Sequence, residues 1–305
     1  MLLKSLVLQL GGACLLALSL AAASAPAVAA ETKAGAARTA ALLVTFGSSH
    51  AGAAAGLAQV EADLKAARPE LSVRWAYTSE KVRARLAKQG QKVLSPAEAL
   101  AALRAEGFKR VAVQSLHVIA GAEFHELAAE TRAFAAANPG LRVALGRPLI
   151  GDNDDLLALT GALLAEAGPP RPGLALVWVG HGSHHPAGLT YPALAWALAR
   201  AQPNAFLGTV EGKPDFDDVM AGIQAAGLKE ARLMPLLTVI GEHSKEDIAG
   251  DAADSWKSRL TAAGIAVTPA LRAISEIKAV RDIWLGHLGL ALKDLEGKPA
   301  KAKKH

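Results

Sequence analysis

Cysteine is nearly absent from this sequence: Cys14 is the only one in 305 residues. It falls in an N-terminal apolar segment that reads as removable, so the processed chain is expected to carry no thiol. An exported chain without thiols can form no disulfide and no thiolate metal site, and any metal must be held by histidine and carboxylate. Aromatic residues are also scarce, at 4%, whereas 51% of residues are hydrophobic and 20% charged, the balance of a globular protein. The net charge is +5, much of it from Lys298, Lys301, Lys303 and Lys304 in a tail expected to be solvated. A basic balance fits an anionic ligand, a nucleic acid or a membrane surface equally well.

The N-terminal apolar run is short for a membrane-spanning helix. Lys4, the stretch from Leu6 to Ala23 and the small residues Ser24-Ala25-Pro26-Ala27-Val28-Ala29-Ala30 follow the charged, hydrophobic and cleavable plan of a secretory signal peptide. Residues 1–30 are therefore expected to be removed, leaving a periplasmic protein with no stable membrane anchor and, with Lys4 gone, a charge of +4.

Past that segment, short apolar runs without polar alternation recur between helical stretches, the pattern of parallel strands covered on both faces. In the first half, strands are expected at Ala40 to Phe46, Leu71 to Tyr77, Val111 to Leu116 and Arg142 to Leu145. Helices fall between them, one opened by Ser95 and Pro96. Gly168-Pro169-Pro170-Arg171-Pro172-Gly173 then breaks the chain, because its prolines continue neither helix nor ladder. After it the alternation restarts, with strands at Leu174 to Val179, Ala205 to Thr209, Ala231 to Leu236 and Ala266 to Ala270, and a long helix from Ser275 to Leu295. The expected organisation is an N-terminal α/β domain over 31–168, a linker at 169–173, a C-terminal α/β domain over 174–295 and a basic tail at 296–305. Each domain is expected to hold a parallel four-stranded sheet flanked by helices.

The halves resemble each other. Leu43 to His50 lines up with Val177 to His184, and Arg110 to Ile119 with Ala231 to Ile240. This implies two similar domains facing each other across a cleft. In this alignment Gly180-His181 is answered by Phe46-Gly47.

Three of nine histidines lie in Gly180-His181-Gly182-Ser183-His184-His185, directly after an apolar strand. The carboxyl ends of strands in open α/β sheets are where ligands bind. Two further polar stretches follow strands in the same half: Gly208-Thr209-Val210-Glu211-Gly212-Lys213 and Val239-Ile240-Gly241-Glu242-His243-Ser244. His181, Glu211 and His243 are spaced by 30 and 32 residues, about one β-α unit each, so adjacent strands would bring them to one side of the sheet. Two imidazoles and a carboxylate suit a first-row divalent ion with positions left open for a substrate. Taken singly, Glu211 could instead pair with Lys213, and His243 could cap the following helix. His184 and His185 read as rim residues, and His50 and His117 as structural or cleft-lining.

These blocks, with Leu233-Met234-Pro235-Leu236, Asp254-Ser255-Trp256-Lys257, Val44-Thr45-Phe46-Gly47-Ser48-Ser49 and Gly121-Ala122-Glu123-Phe124, resemble the class II tetrapyrrole chelatases, most closely the anaerobic sirohydrochlorin cobaltochelatases. The resemblance runs from Ala40 to Leu290. It implies a two-domain enzyme with pseudo-twofold symmetry and its active site in the cleft, inserting Co²⁺, or Fe²⁺, into a tetrapyrrole small molecule rather than binding nucleic acid, with a homo-oligomer expected. It further implies that His181 and His243 are the catalytic histidine pair, Glu211 their acidic partner at the metal, and Glu123 an acidic residue facing them from the first domain. His125 departs from the pattern, and so does the secretory segment. They leave open a periplasmic binding or transport protein for metal, haem or another tetrapyrrole on the same scaffold, with His125 as an axial haem ligand.

Overall fold

The computed structural model describes residues 38–50, 52, 54–241 and 244–297. The expected secretory segment, the basic tail beyond residue 297 and His243 lie outside the described residues. Among the described residues, no helix is long and apolar enough to cross a membrane.

The first half runs β1 (Thr39–Thr45), α1 (Ala54–Ala67), β2 (Ser72–Tyr77), α2 (Glu80–Lys88), α3 (Pro96–Ala105), β3 (Arg110–Ser115), α4 (Ala122–Ala137), β4 (Arg142–Gly146) and α5 (Asn153–Ala167). The second runs β5 (Leu174–Gly182), α6 (Thr190–Ala201), β6 (Ala205–Glu211), α7 (Phe216–Ala225), β7 (Glu230–Leu236), α8 (Trp256–Ala262), β8 (Ala266–Pro269) and α9 (Lys278–Glu296). The strands form two four-stranded sheets, ordered β2-β1-β3-β4 and β6-β5-β7-β8, and every pairing is parallel. The same order in both sheets makes the duplication topological as well as sequential.

The apolar runs earn their strands by burial. Ala40 through Val44 are fully buried in β1, which has β2 on one side and β3 on the other. One continuous core cluster contains Ala41 and Leu43 from the first sheet, Leu176 and Trp178 from the second, and Trp284 and Leu288 from α9. Two further clusters cover the remaining faces, one around Leu100, Leu103 and Phe108, the other around Val219, Ile223 and Trp256. Helix starts are set chemically: Ser95 and Glu98 form a reciprocal capping box with Pro96 in the first turn, and Asp152 with Asp155 does the same for α5.

The final helix crosses back. α9 packs on β3 and β4 of the first sheet and on α5. Its buried Arg281 donates to Asp63 Oδ2 at 2.7 Å and to Gln59 Oε1 at 2.8 Å on α1. Its buried His287 lies 2.9 Å from Asp155 Oδ1. The two sheets accordingly belong to one compact unit.

In each sheet the chain leaves the first strand toward one edge and returns to the other side of it. This places a topological switch point between β1 and β3, and another between β5 and β7. The crevice outside the carboxyl ends of such strands is where open α/β sheets take ligands.

Candidate active site

The loops at the two switch points face each other, and they do so twice. Thr238 Oγ1, after β7, donates to Leu116 O, after β3, at 2.7 Å. The loop after β1 meets the loop after β7: a Cβ placed on Gly241 would stand 3.8 Å from Ser48 Oγ. The loop after β3 meets the loop after β5 in the same way, with a Cβ on Gly121 standing 4.0 Å from Ser183 Oγ.

Local geometry fixes the correspondence between the halves and corrects the sequence alignment. His50 N–H donates to Ser48 Oγ and Gly52 N–H to His50 Nδ1, at 3.1 and 3.2 Å. His185 N–H donates to Ser183 Oγ and Ala187 N–H to His185 Nδ1, both at 3.1 Å. Gly47 and Gly182 precede these serines with φ of 91° and 86°. Ser48 thus answers Ser183 and His50 answers His185, so the residue opposite His181 is Phe46, not Gly47. Sequence similarity alone cannot find this shift, because Gly and Ser recur on both sides of it.

His181 is the penultimate residue of β5 and is exposed. Gly182 holds the turn after it: its positive φ suits glycine, and an added Cβ would collide with the carbonyl oxygen of Glu211. Gly182 pairs with Glu211 across the β5–β6 ladder, and both His181 and Glu211 emerge at the tips of neighbouring strands. The pleat sets Glu211 beside Gly182 and Val210 beside His181. Any convergence of imidazole and carboxylate therefore has to occur beyond the strand tips rather than across one face.

Behind this loop stands Tyr191, a residue that no sequence motif marks. It lies in the first turn of α6, is 4% exposed, and packs its ring so closely on Gly180 that a Cβ there would meet Cε1 at 2.8 Å. Burial pushes its phenol up to about 12; a backbone hydrogen bond from Gly182 works against that rise, and the charge of Glu123 adds to it. Glu123, the second residue of α4, is exposed and lies in a first turn whose N-cap, Gly121, supplies no side-chain cap. Its charge, from the first half, is thus felt by Tyr191 behind the strand that carries His181.

His125, two residues on in α4, is exposed and places Nδ1 3.2 Å from His185 Nε2, with the rings edge to face at 4.9 Å. His184 is exposed on the rim. His117 is different: burial pushes its imidazole down to about 4, Nδ1 lies 2.8 Å from Ser115 Oγ, and Nε2 is buried with no partner. It stays neutral at physiological pH, under the floor of the crevice. A cavity of about 360 Å³ adjoins the β5 loop, lined by Ser183, His185, Leu189 and Lys213. A second, of about 240 Å³ among Asp215, Asp217, Asp254 and Arg259, includes none of the facing loops.

Among the described residues, no three His, Cys, Asp or Glu side chains are grouped to hold a metal ion. Of the three expected ligands, His181 and Glu211 are described and His243 is not, so the triad is not assembled from these residues alone.

Two repeated doubly wound halves, with an imidazole and a carboxylate at neighbouring strand tips of the second, define a two-sheet α/β protein with facing switch-point loops. The chain belongs to the cobalt chelatase (CbiK) family, whose pattern it matches over residues 39–293. It is 39% identical over 256 residues to a sirohydrochlorin cobaltochelatase, CbiKC, of Nitratidesulfovibrio vulgaris Hildenborough, covering 84% of this chain and 91% of that one. It is 34% identical over 253 residues to the sirohydrochlorin cobaltochelatase of Salmonella typhimurium, covering 82% and 95%. Among solved structures, SirB of Bacillus subtilis with Fe³⁺ shares the fold, with a TM-score of 0.59 at 18% identity over 86% of this chain and 98% of that one.

Proposed function

We propose that this protein inserts Co²⁺ into sirohydrochlorin, releasing two protons per ring. The observation that carries the reading is the 39% identity to a cobaltochelatase over 84% of the chain. His181, Glu211 and His243 are assigned to the incoming ion, all from the second half of the chain, and Glu123 to the opposite wall. The substrate ion must shed water, pass from weak protein ligands to four ring nitrogens, and displace two N–H protons. An imidazole serves both demands, as ligand to the ion and as acceptor of a proton at a later stage. The carboxylates of Glu211 and Glu123 balance charge while the protons leave. Tyr191 bonds to the Gly182 backbone and so holds the turn from which His181 projects. Fe²⁺ suits the same donor set. Absorbance spectra of sirohydrochlorin mixed with enzyme and Co²⁺, then with Fe²⁺, test the proposal; ring metallation no faster than without protein would refute it.

The secretory pattern of residues 1–30 supports an exported form of this enzyme, checked by fractionating cells and sequencing the processed N-terminus. Leu189 and Trp196, 76% and 66% exposed, support self-association, measurable by light scattering. Haem ligation by His125 lacks comparable support. His185 Nδ1 accepts from Ala187, so its neutral ring donates through Nε2 to His125 Nδ1 and leaves the proton of His125 on Nε2. An axial bond from that nitrogen would require the pair to be rebuilt. A Soret band lost in His125→Ala would reinstate it.

A further inference from the structure

The two ends of the crevice are built alike but are not satisfied alike. At one end the Nε2–H of His185 has an acceptor in His125 Nδ1. At the other, His50 Nδ1 likewise accepts a backbone N–H, from Gly52, so the neutral ring again carries its proton on Nε2. What faces that Nε2, at 3.1 Å, is the ammonium of Lys245. Lysine has three donors and no acceptor, so two donors confront each other with nothing between them to accept. The arrangement follows from the repeat. Counting from the matched glycines Gly121 and Gly241, Lys245 stands where the first half has His125.

A second cation comes to the same loop. Arg85 of α2 places NH1 3.4 Å from Ser49 Oγ, next to His50. Among the described residues neither Arg85 nor Lys245 has an ion-pair partner, whereas Lys213, Lys257 and Arg259, at the same end of the second sheet, each have an aspartate. Two exposed cations with no ion-pair partner among the described residues, and an imidazole N–H, thus come to Ser49-His50, at the carboxyl end of β1 and facing the loop that leads to His243. All of these groups are donors, and the ligand chemistry that answers donors is an anion, of which a planar carboxylate offers two accepting oxygens.

We propose that Ser49, His50, Arg85 and Lys245 form a carboxylate-binding corner that takes an acidic side chain of the macrocycle. This rests on the sirohydrochlorin reading, since that ring carries acetate and propionate groups. The His125–His185 end is self-satisfied and does not compete for an anion. A ring entering the crevice is therefore anchored at one end only, which fixes the way round it lies against His181.

The test is a titration of the whole protein with metal-free sirohydrochlorin, following ring absorbance, alongside steady-state insertion of Co²⁺. Lys245→Gln and Arg85→Gln are each expected to weaken ring binding about tenfold, the loss of one charge-assisted contact. KM for Co²⁺ should stay within about threefold. Lys245→Arg should restore most of the binding, and Lys278→Gln, on α9 and paired with Asp282, should leave it unchanged. Both cations are exposed, so their replacement removes no packing. Ring binding within twofold of wild type in both glutamine variants, with the wild type active, overturns the corner alone. Wild-type protein that neither binds nor metallates the ring removes the substrate reading and the corner with it.

Discussion

The two halves share a strand order, a glycine turn and a serine–histidine clasp, yet only the second carries the residues assigned to the metal. Where β5 carries His181 as its penultimate residue, β1 is followed by Phe46, 46% exposed. Where β7 leads to Gly241 and, two residues on in sequence, His243, β3 leads to Gly121 and Glu123. Duplication reproduced the backbone, because Gly47 and Gly182 answer the same demand for a positive φ. The side chains projecting from it diverged, so that an imidazole stands at 181 where the first half has the Phe46 ring. Backbone requirements are strict and survive copying. Side chains at strand tips are exposed and free to change, since little packing depends on them.

The sharpest way to break this comparison is to exchange its members. His181→Ala is expected to lower kcat for insertion at least about 100-fold, the scale of a lost proton acceptor, whereas Phe46→Ala should stay within about tenfold. Equal losses in a stopped assay of ring metallation would mean the walls are not specialised. Next come the glycines. Gly182→Ala should cost about 3 kcal/mol, since it combines a strained φ with a backbone collision, and Gly47→Ala about 1–2 kcal/mol, because its clash is with the Tyr77 ring, which can shift. Urea midpoints measure both, and the reverse order would contradict the geometry.

A third contrast is electrostatic. His117 accepts from Leu149 N–H through its carbonyl as Leu237 does from Ile274, so the first half titrates where the second has a leucine. Burial lowers the His117 pKa from 6.5 to about 4, and the unfolded chain takes up that proton first. Its contribution is fully present above pH 6.5 and is lost as pH falls toward 4, by about 2 kcal/mol after allowance for partial exposure. His117→Leu, which copies the second half, should flatten that part of the stability profile; an unaltered slope would assign the acid sensitivity elsewhere. The smallest effect is expected from Tyr191→Phe: kcat lowered about three- to tenfold with KM for the ring unchanged, because one hydrogen bond that positions the His181 turn is lost. A change confined to KM would place Tyr191 in ring binding instead.

Much of this architecture was legible in the chain. Unbroken apolar runs announced buried parallel strands, and Ser95-Pro96 and the proline-rich segment at 169–173 marked a helix start and the joint between halves. The placement of His181 and Glu211 at neighbouring strand tips was legible from their distance of one β-α unit, a local consequence of a parallel ladder. Contacts between distant segments were not legible. Nothing in Lys278–Glu296 says that this helix returns to the first sheet, since Trp284 and Leu288 would suit any apolar face. Tyr191 belongs to an ordinary amphipathic helix and acquires a role only because Gly180 leaves room for its ring. The pairing of His125 with His185, 60 residues apart, likewise exists only once the halves face each other. The one-residue slip at Phe46 came from a Gly/Ser-rich turn, where similar residues align in more than one register.

The most direct measurement of the central claim is the rate of Co²⁺ entry into sirohydrochlorin with wild-type protein and with His181→Ala, each against the protein-free reaction. The expected result is saturable acceleration by the wild type that falls to near the protein-free rate in His181→Ala. Metallation as fast in His181→Ala as in wild type, or no faster in wild type than without protein, would contradict it.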